Sequence, residues 1–148
     1  MNNKKNNLLL ISIKPQYAKK IFEGKKTIEL RKSAPQRVEN DSYVLIYVTS
    51  PVKELWGVCK IKSIIKNDPE IIWNKYGDVA GIDKEDFNDY YKETTNGYGI
   101  ELKDVKRLIN VISLEELREM VPGFTAPQTY RYIDKELIKN ENLRKLLI

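Results

Sequence analysis

The run Gly24-Lys25-Lys26-Thr27-Ile28-Glu29-Leu30-Arg31 is where this chain concentrates groups able to do chemistry. It holds a turn glycine, two lysines, one carboxylate and one arginine, with β-formers between them. A surface loop has no need of Ile28 and Leu30, and a core segment has no need of Lys26, Glu29 and Arg31. The spacing predicts a half-buried strand. Lys25, Thr27, Glu29 and Arg31 would share one polar face, with Ile28 and Leu30 turned into a core. An arginine on such a face can grip phosphate in a forked geometry, and a carboxylate can accept from a base amino group. Lys26 adds a compact positive charge. The plainer alternative is an internal Glu29–Arg31 pair, worth only about 0–1 kcal/mol if exposed.

Two further clusters offer ligand groups. Tyr47, Thr49, Ser50 and Pro51 form a strand end leading into a turn, where free backbone N–H groups and hydroxyls can meet a ligand. An ordinary turn with Ser50 bonding locally reads equally well. Gln128, Thr129, Tyr130 and Arg131 combine a planar amide, a hydroxyl, an aromatic ring and a guanidinium, a set that can read and stack a base. The alternative is a lid that packs Tyr130 and Tyr132 on the rest of the fold.

Composition narrows the chemistry. Histidine is absent and Cys59 is the single cysteine, which removes Ser-His-Asp and Cys-His catalysis in their usual forms and most zinc sites. No carboxylate run has calcium-loop spacing, so no metal and no cofactor are expected. The net charge of +5 is uneven. Residues 1–37 carry ten Lys/Arg against two Asp/Glu, a net of +8, and the remainder carries sixteen against nineteen, a net of −3. A phosphate-bearing partner would be drawn to the N-terminal third; excess lysine serving solubility alone is the competing explanation.

These residues need elements to hold them. Residues 1–7 read as a disordered basic start and residues 8–148 as one domain. Leu8 to Ile13 is a short buried strand. Pro15 opens a helix through Phe22, with Gly24 at its left-handed cap. Tyr43 to Val48 and Leu55 to Ile65 are strands, the second bent or bulged at Gly57. Asp68-Pro69 and Asp83 start two helices in an acidic insertion at 67–96, expected to lie away from the phosphate path. Tyr98 to Leu102 and Val105 to Ile112 read as a hairpin. Ser113 caps a helix from Leu114 to Met120, with Glu116 at the capping-box position. Residues 124–133 look irregular, and a helix closes the chain within 134–148. Trp56, Trp73 and Cys59 read as core. The apolar runs are too short for a membrane span, and no export signal or possible internal disulfide appears, so a cytoplasmic location is expected.

The pattern Gly24-x-Lys26-x-x-Glu29-x-Arg31 resembles the signature of the ASCH family. Ser12-Ile13-Lys14-Pro15, Tyr47-Val48-Thr49-Ser50-Pro51, Tyr98-Gly99-Ile100-Glu101 and Pro127-Gln128-Thr129-Tyr130-Arg131-Tyr132 follow the order of landmarks in a group of bacterial, archaeal and phage members. The resemblance implies an α+β fold similar to the PUA domain: a mixed, mostly antiparallel β-barrel with flanking helices. It also implies a nucleic-acid-binding module, with RNA, single-stranded nucleic acid or a modified nucleotide as partner. Ser12, Lys14, Lys26, Glu29, Arg31, Tyr47, Thr49, Ser50, Gln128, Tyr130 and Arg131 would form its surface. Two enzymatic branches supply the alternative. The branch that removes acetyl from N4-acetylcytidine uses a lysine, a threonine and a glutamate. The lysine matches Lys26, but Glu29 stands at the threonine position and Val79-Ala80-Gly81 offers no carboxylate. In the ribonuclease branch, catalysis would rest on Lys26 and Glu29 as base and acid.

Overall fold

Leu8-Leu9-Leu10-Ile11 is an unbroken apolar run because its strand is covered on both faces. In the computed structural model, which describes residues 7–147, that strand is β1 (Asn7–Ile13). Leu8 and Leu10 enter one core cluster, and Leu9, Ile11 and Ile13 enter another. The remaining strands are β2 (Ile28–Arg31), β3 (Tyr43–Val48), β4 (Glu54–Asn67), β5 (Gly97–Ser113) and β6 (Tyr130–Asp134). The helices are α1 (Pro15–Phe22), α2 (Pro69–Tyr76), α3 (Lys84–Tyr90), α4 (Leu114–Met120) and α5 (Glu141–Leu146).

The six strands form one sheet in the order β2-β5-β4-β3-β1-β6. β1 and β3 pair in parallel, and the other pairings are antiparallel. The α+β class and the mostly antiparallel sheet match expectation. Closure into a barrel does not: β2 and β6 stand at the two ends of the order and do not pair with each other. The sheet is nonetheless sharply curled. Four strand intervals separate β2 from β1, about 19 Å in a flat sheet. Yet the Arg31 guanidinium donates to the Ser12 carbonyl oxygen at 3.2 Å. The bulges that break register at Ile46/Tyr47, Leu55/Gly57, Val58/Lys60 and Ile61/Ser63 supply the bend.

The two main clusters fill the faces of this sheet. α4 and α5 cover one through Leu117 and Leu143, and α1 covers the other through Ala18 and Ile21. A third cluster joins Ile28 and Leu30 of β2 to Ile72, Phe87 and Tyr91 of the insertion. Cys59 is fully buried, and burial pushes its thiol pKa up.

Several expectations are corrected. Residues 97–113 are one seventeen-residue strand rather than a hairpin, because β4 pairs with it on both sides of the turn-prone Asp104 (φ +52°), which is absorbed at a bulge. The irregular stretch contains β6, which takes the otherwise unpaired edge of β1. The closing helix within 134–148 is instead the end of β6, a 3-10 turn (Lys135–Leu137) and the short α5. Asn7, assigned to the N-terminal start, is the first residue of β1, and the rest of that predicted disordered start lies outside the described residues. No helix among the described residues is long and apolar enough to cross a membrane.

Candidate functional site: a cleft with a buried lysine, glutamate and arginine

Local signals place the signature. α1 starts with Pro15 at its first position and ends in a Schellman turn. There Gly24 (φ +79°) donates from its N–H to Ile21 O, and the Lys25 N–H donates to Lys20 O. The Lys26 N–H also donates to Lys20 O, and the Thr27 N–H donates to Val79 O. The chain therefore enters β2 only at Ile28. Lys25 and Thr27 stay exposed, and Lys26 turns inward, which differs from the alternating polar face read from the sequence. The polar face of β2 itself consists of Glu29 and Arg31.

Lys26, Glu29 and Arg31 meet in the wall of a cleft of about 680 Å³. Their side chains keep only 4%, 13% and 11% of their exposure. Lys26 Nζ donates to Ala80 O at 2.5 Å and lies 4.0 Å from Glu29 Oε2. Arg31 Nη2 lies 3.6 Å from Glu29 Oε1. Among the described residues, Glu29 Oε2 and Arg31 Nε are the buried side-chain polar atoms that lack a hydrogen-bond partner. Unsatisfied buried groups cost stability, and such strain gathers at functional sites. Burial lowers the Lys26 pKa from its ordinary value; Glu29 opposes that shift, and Arg31 and Lys20 reinforce it.

The sequence-predicted residues divide between the cleft and elsewhere. Ser12, Lys14, Thr49 and Gln128 line it together with the triad. Ser12 fixes Gln128 there: its hydroxyl donates to Pro127 O at 2.6 Å and its N–H to Thr129 O at 2.9 Å. The Thr49 N–H donates to Ile13 O at 3.0 Å, which holds it beside β1. Tyr47, Ser50, Tyr130 and Arg131 are not brought to the cleft. Tyr47 is buried edge-on to Phe124. Ser50 is exposed, before the cis peptide to Pro51. Tyr130 packs on Tyr132, as the lid alternative anticipated. Arg131 lies over Phe124 and donates to Thr125 O.

The rest of the lining was not legible in the chain. Tyr17, Ile82, Asp86, Asp89 and Tyr90 contribute to it. The acidic insertion thus borders the cleft instead of lying away from it, because Phe87 buries against Ile28 and Leu30 and carries α3 over β2. Tyr17 stands 5.6 Å from Lys26 Nζ, ring to cation, and its pKa is raised by burial and then by Asp86. Tyr90 is likewise raised, chiefly by burial. The Tyr91 hydroxyl donates toward Arg31 O and Tyr98 O, anchoring the end of β2. The one available signal was Tyr90-Tyr91 beside an acidic helix, which sequence periodicity cannot place.

A family model described as a domain of unknown function (DUF365) matches residues 9–124. The chain is 32% identical over 127 residues to an ASCH domain-containing ribonuclease of Zymomonas mobilis subsp. mobilis, covering 86% of this chain and 84% of that protein. It is 27% identical over 126 residues to the large ribosomal subunit protein uL22 of Ureaplasma parvum serovar 3, of which it spans only 39%. A crystal structure of ASCH from Zymomonas mobilis superposes with a TM-score of 0.84 at 31% identity, covering 94% of each chain.

Proposed function

Because the chain belongs to the ASCH domain family, we propose that it acts on single-stranded RNA, holding a nucleotide in the cleft and cleaving the adjoining phosphodiester. The relative of 32% identity is named a ribonuclease. The observation that carries the reading is the buried Lys26–Glu29–Arg31 cluster in the cleft wall, with an orphan acceptor on Glu29 and an orphan donor on Arg31. A phosphate with its ribose supplies what each lacks.

The roles follow from the charges. Glu29 Oε2, an acceptor without a donor, takes the proton of the ribose 2′-hydroxyl. The 2′-oxygen then bonds to phosphorus. Arg31 faces the charge gathering on the phosphoryl oxygens. The bond from phosphorus to the 5′-oxygen breaks, and that oxygen takes a proton from Lys26 Nζ. Burial weakens the hold of Lys26 on its proton, which suits an acid. A proton passing from Glu29 back to Lys26 restores the starting state. The products are a cyclic 2′,3′-phosphate and a 5′-hydroxyl. This exchanges the base and acid roles suggested by sequence, because an ion pair places the proton on lysine. The acetyl-removing alternative is less well served: Glu29 stands where that branch has its threonine, and Val79-Ala80-Gly81 puts only the Ala80 carbonyl beside Lys26 where that branch has its glutamate.

The test is Glu29→Gln against wild type, with RNA binding and RNA length followed together. Loss of cleavage by about 10²–10⁴-fold with binding retained is the expected result. Salt-sensitive binding with no cleavage by wild-type protein would reduce the chain to a binding module. A modified nucleotide that competes with RNA for binding would identify the cleft as a nucleotide pocket.

A further inference from the structure

A second groove, of about 580 Å³, adjoins Lys26. Lys19, Phe22, Glu23, Val105 and Arg107 line it, and Lys26 is the residue common to groove and cleft. We infer that this groove seats the stretch of single-stranded RNA that continues past the cleft, so that the substrate is an oligonucleotide gripped on both sides of Lys26. The inference rests on the cleft taking RNA.

Three observations support it. The first is uncompensated charge. Among the described residues, no carboxylate lies within ion-pair distance of Lys19 or Arg107, whereas Glu23 is drawn off by Lys25 at 3.8 Å. Two cations without an ion-pair partner outnumber the one carboxylate of the groove, which itself faces Lys25, and so attract phosphate. The second is the preparation of Arg107. Its guanidinium lies 4.6 Å over the Trp56 ring and 5.5 Å over the Phe22 ring. Held against both rings and with no carboxylate in ion-pair distance, it is a positioned guanidinium of the kind that grips phosphate in a fork.

The third is the close packing behind Phe22 and Arg107. A Cβ on Gly57 would sit 2.3 Å from Lys106 O and 2.8 Å from Phe22 Cε1. Only glycine lets β5 and Phe22 close on each other, and that approach sets Arg107 over both rings. The bulge at Asp104 re-aims this part of β5. Val105, 37% exposed, adds an apolar surface for a base. Phosphates would sit toward Lys19 and Arg107, since the end of α1 at Gly24 is the negative pole of that helix.

The experiment measures binding of two labelled RNAs, a dinucleotide and an oligomer of about ten nucleotides, a length within the range such grooves track. Wild type is compared with Arg107→Glu and Lys19→Glu. Lys139→Glu, in the segment before α5, serves as a control with the same change of net charge. The expected result is about tenfold weaker binding of the oligomer by each groove variant, with the slope of log affinity against log salt reduced by about 0.7 for each phosphate no longer neutralised. Dinucleotide binding should stay at the wild-type level, and Lys139→Glu should change neither. Oligomer binding by both groove variants at the wild-type level, or no weaker than by Lys139→Glu, overturns the groove. So does a parallel loss of dinucleotide binding, which would mean that the variants act through the cleft. Lys19 is exposed, so Lys19→Glu keeps the test informative if Arg107→Glu disturbs the packing on Trp56. If the wild-type protein binds neither RNA, both readings fall. If it binds both and the groove variants are silent, the groove alone falls.

Discussion

Removing the Glu29 charge should destabilise the protein even before its activity is considered. Glu29 lies 4.0 Å from Lys26 and 3.6 Å from Arg31, all three largely buried. At an effective dielectric constant of about 20, each attraction is about 4–5 kcal/mol in gross terms. Desolvation of three ions offsets most of that sum, so the network contributes little beyond what apolar residues would. Deleting one partner is different, because it leaves buried cations without an anion, which costs about 3–5 kcal/mol. The lower end applies here. Lys26 keeps its bond to Ala80 O and can release its proton, whereas Arg31 cannot. Glu29→Gln is therefore expected to lose about 3 kcal/mol and to lower Tm by about 6–12 °C. Lys26→Met in the same background should return about 2 kcal/mol, since it removes one of the stranded charges. Urea unfolding of wild type, both single variants and the double variant at neutral pH measures the coupling. A Glu29→Gln loss below about 0.5 kcal/mol, or strict additivity in the double variant, would show that the carboxylate does not hold the cations, and the proton-transfer roles would lose their basis.

Two further outcomes test neighbouring features. The Lys26 pKa is lowered in the fold from 10.5, so between that lowered value and 10.5 the unfolded chain binds more protons, and the Lys26 contribution to stability rises with pH across this window. The stability difference between wild type and Lys26→Met, followed by denaturant titration up to about pH 10, should therefore move in favour of wild type; a flat difference would refute the burial cost assigned to the ammonium. Gly81 has φ +69°, and a Cβ there would press on Lys26 Cβ at 2.9 Å, whereas Gly24 (φ +79°) has nothing within 4 Å. Gly24→Ala should cost only left-handed backbone strain, about 1–2 kcal/mol. Gly81→Ala should cost more and also slow RNA cleavage by shifting Lys26; equal costs, with cleavage unchanged, would remove Gly81 from the support of the site.

Much of the local structure was written in short stretches of sequence. Pro15 and Gly24 delimit α1, Asp68 and Asp83 cap the insertion helices by accepting from Glu70 and Asp86 N–H groups, and Ser113 with Glu116 closes a capping box. Gly57 marks a bulge. Each of these signals acts over a few residues, through a bond or a steric restriction that the chain carries wherever it goes. The signature Gly24-x-Lys26-x-x-Glu29-x-Arg31 likewise pointed to the triad, although it did not show that Lys26 turns inward before the strand begins.

What the tertiary structure alone decided is what the triad faces. β5 runs through Asp104 as a single strand because β4 pairs with it on both sides of that residue, at Lys103 and at Lys106, a partner that local turn propensity cannot foresee. β6 forms because β1 has a free edge, and the bonds from Ser12 to Pro127 and Thr129 then bring Gln128 to the cleft. The curl that joins Arg31 to Ser12 across four strand intervals depends on bulges spread over the sheet. Asp86, Asp89 and Tyr90 reach the cleft because Phe87 packs against Ile28 and Leu30 of β2, so the acidic and basic parts of the sequence, separate along the chain, line one cleft. Residue types and short spacings fix what each side chain can do. Which side chains meet is set by packing and pairing between segments far apart in sequence, whose energies no local pattern contains.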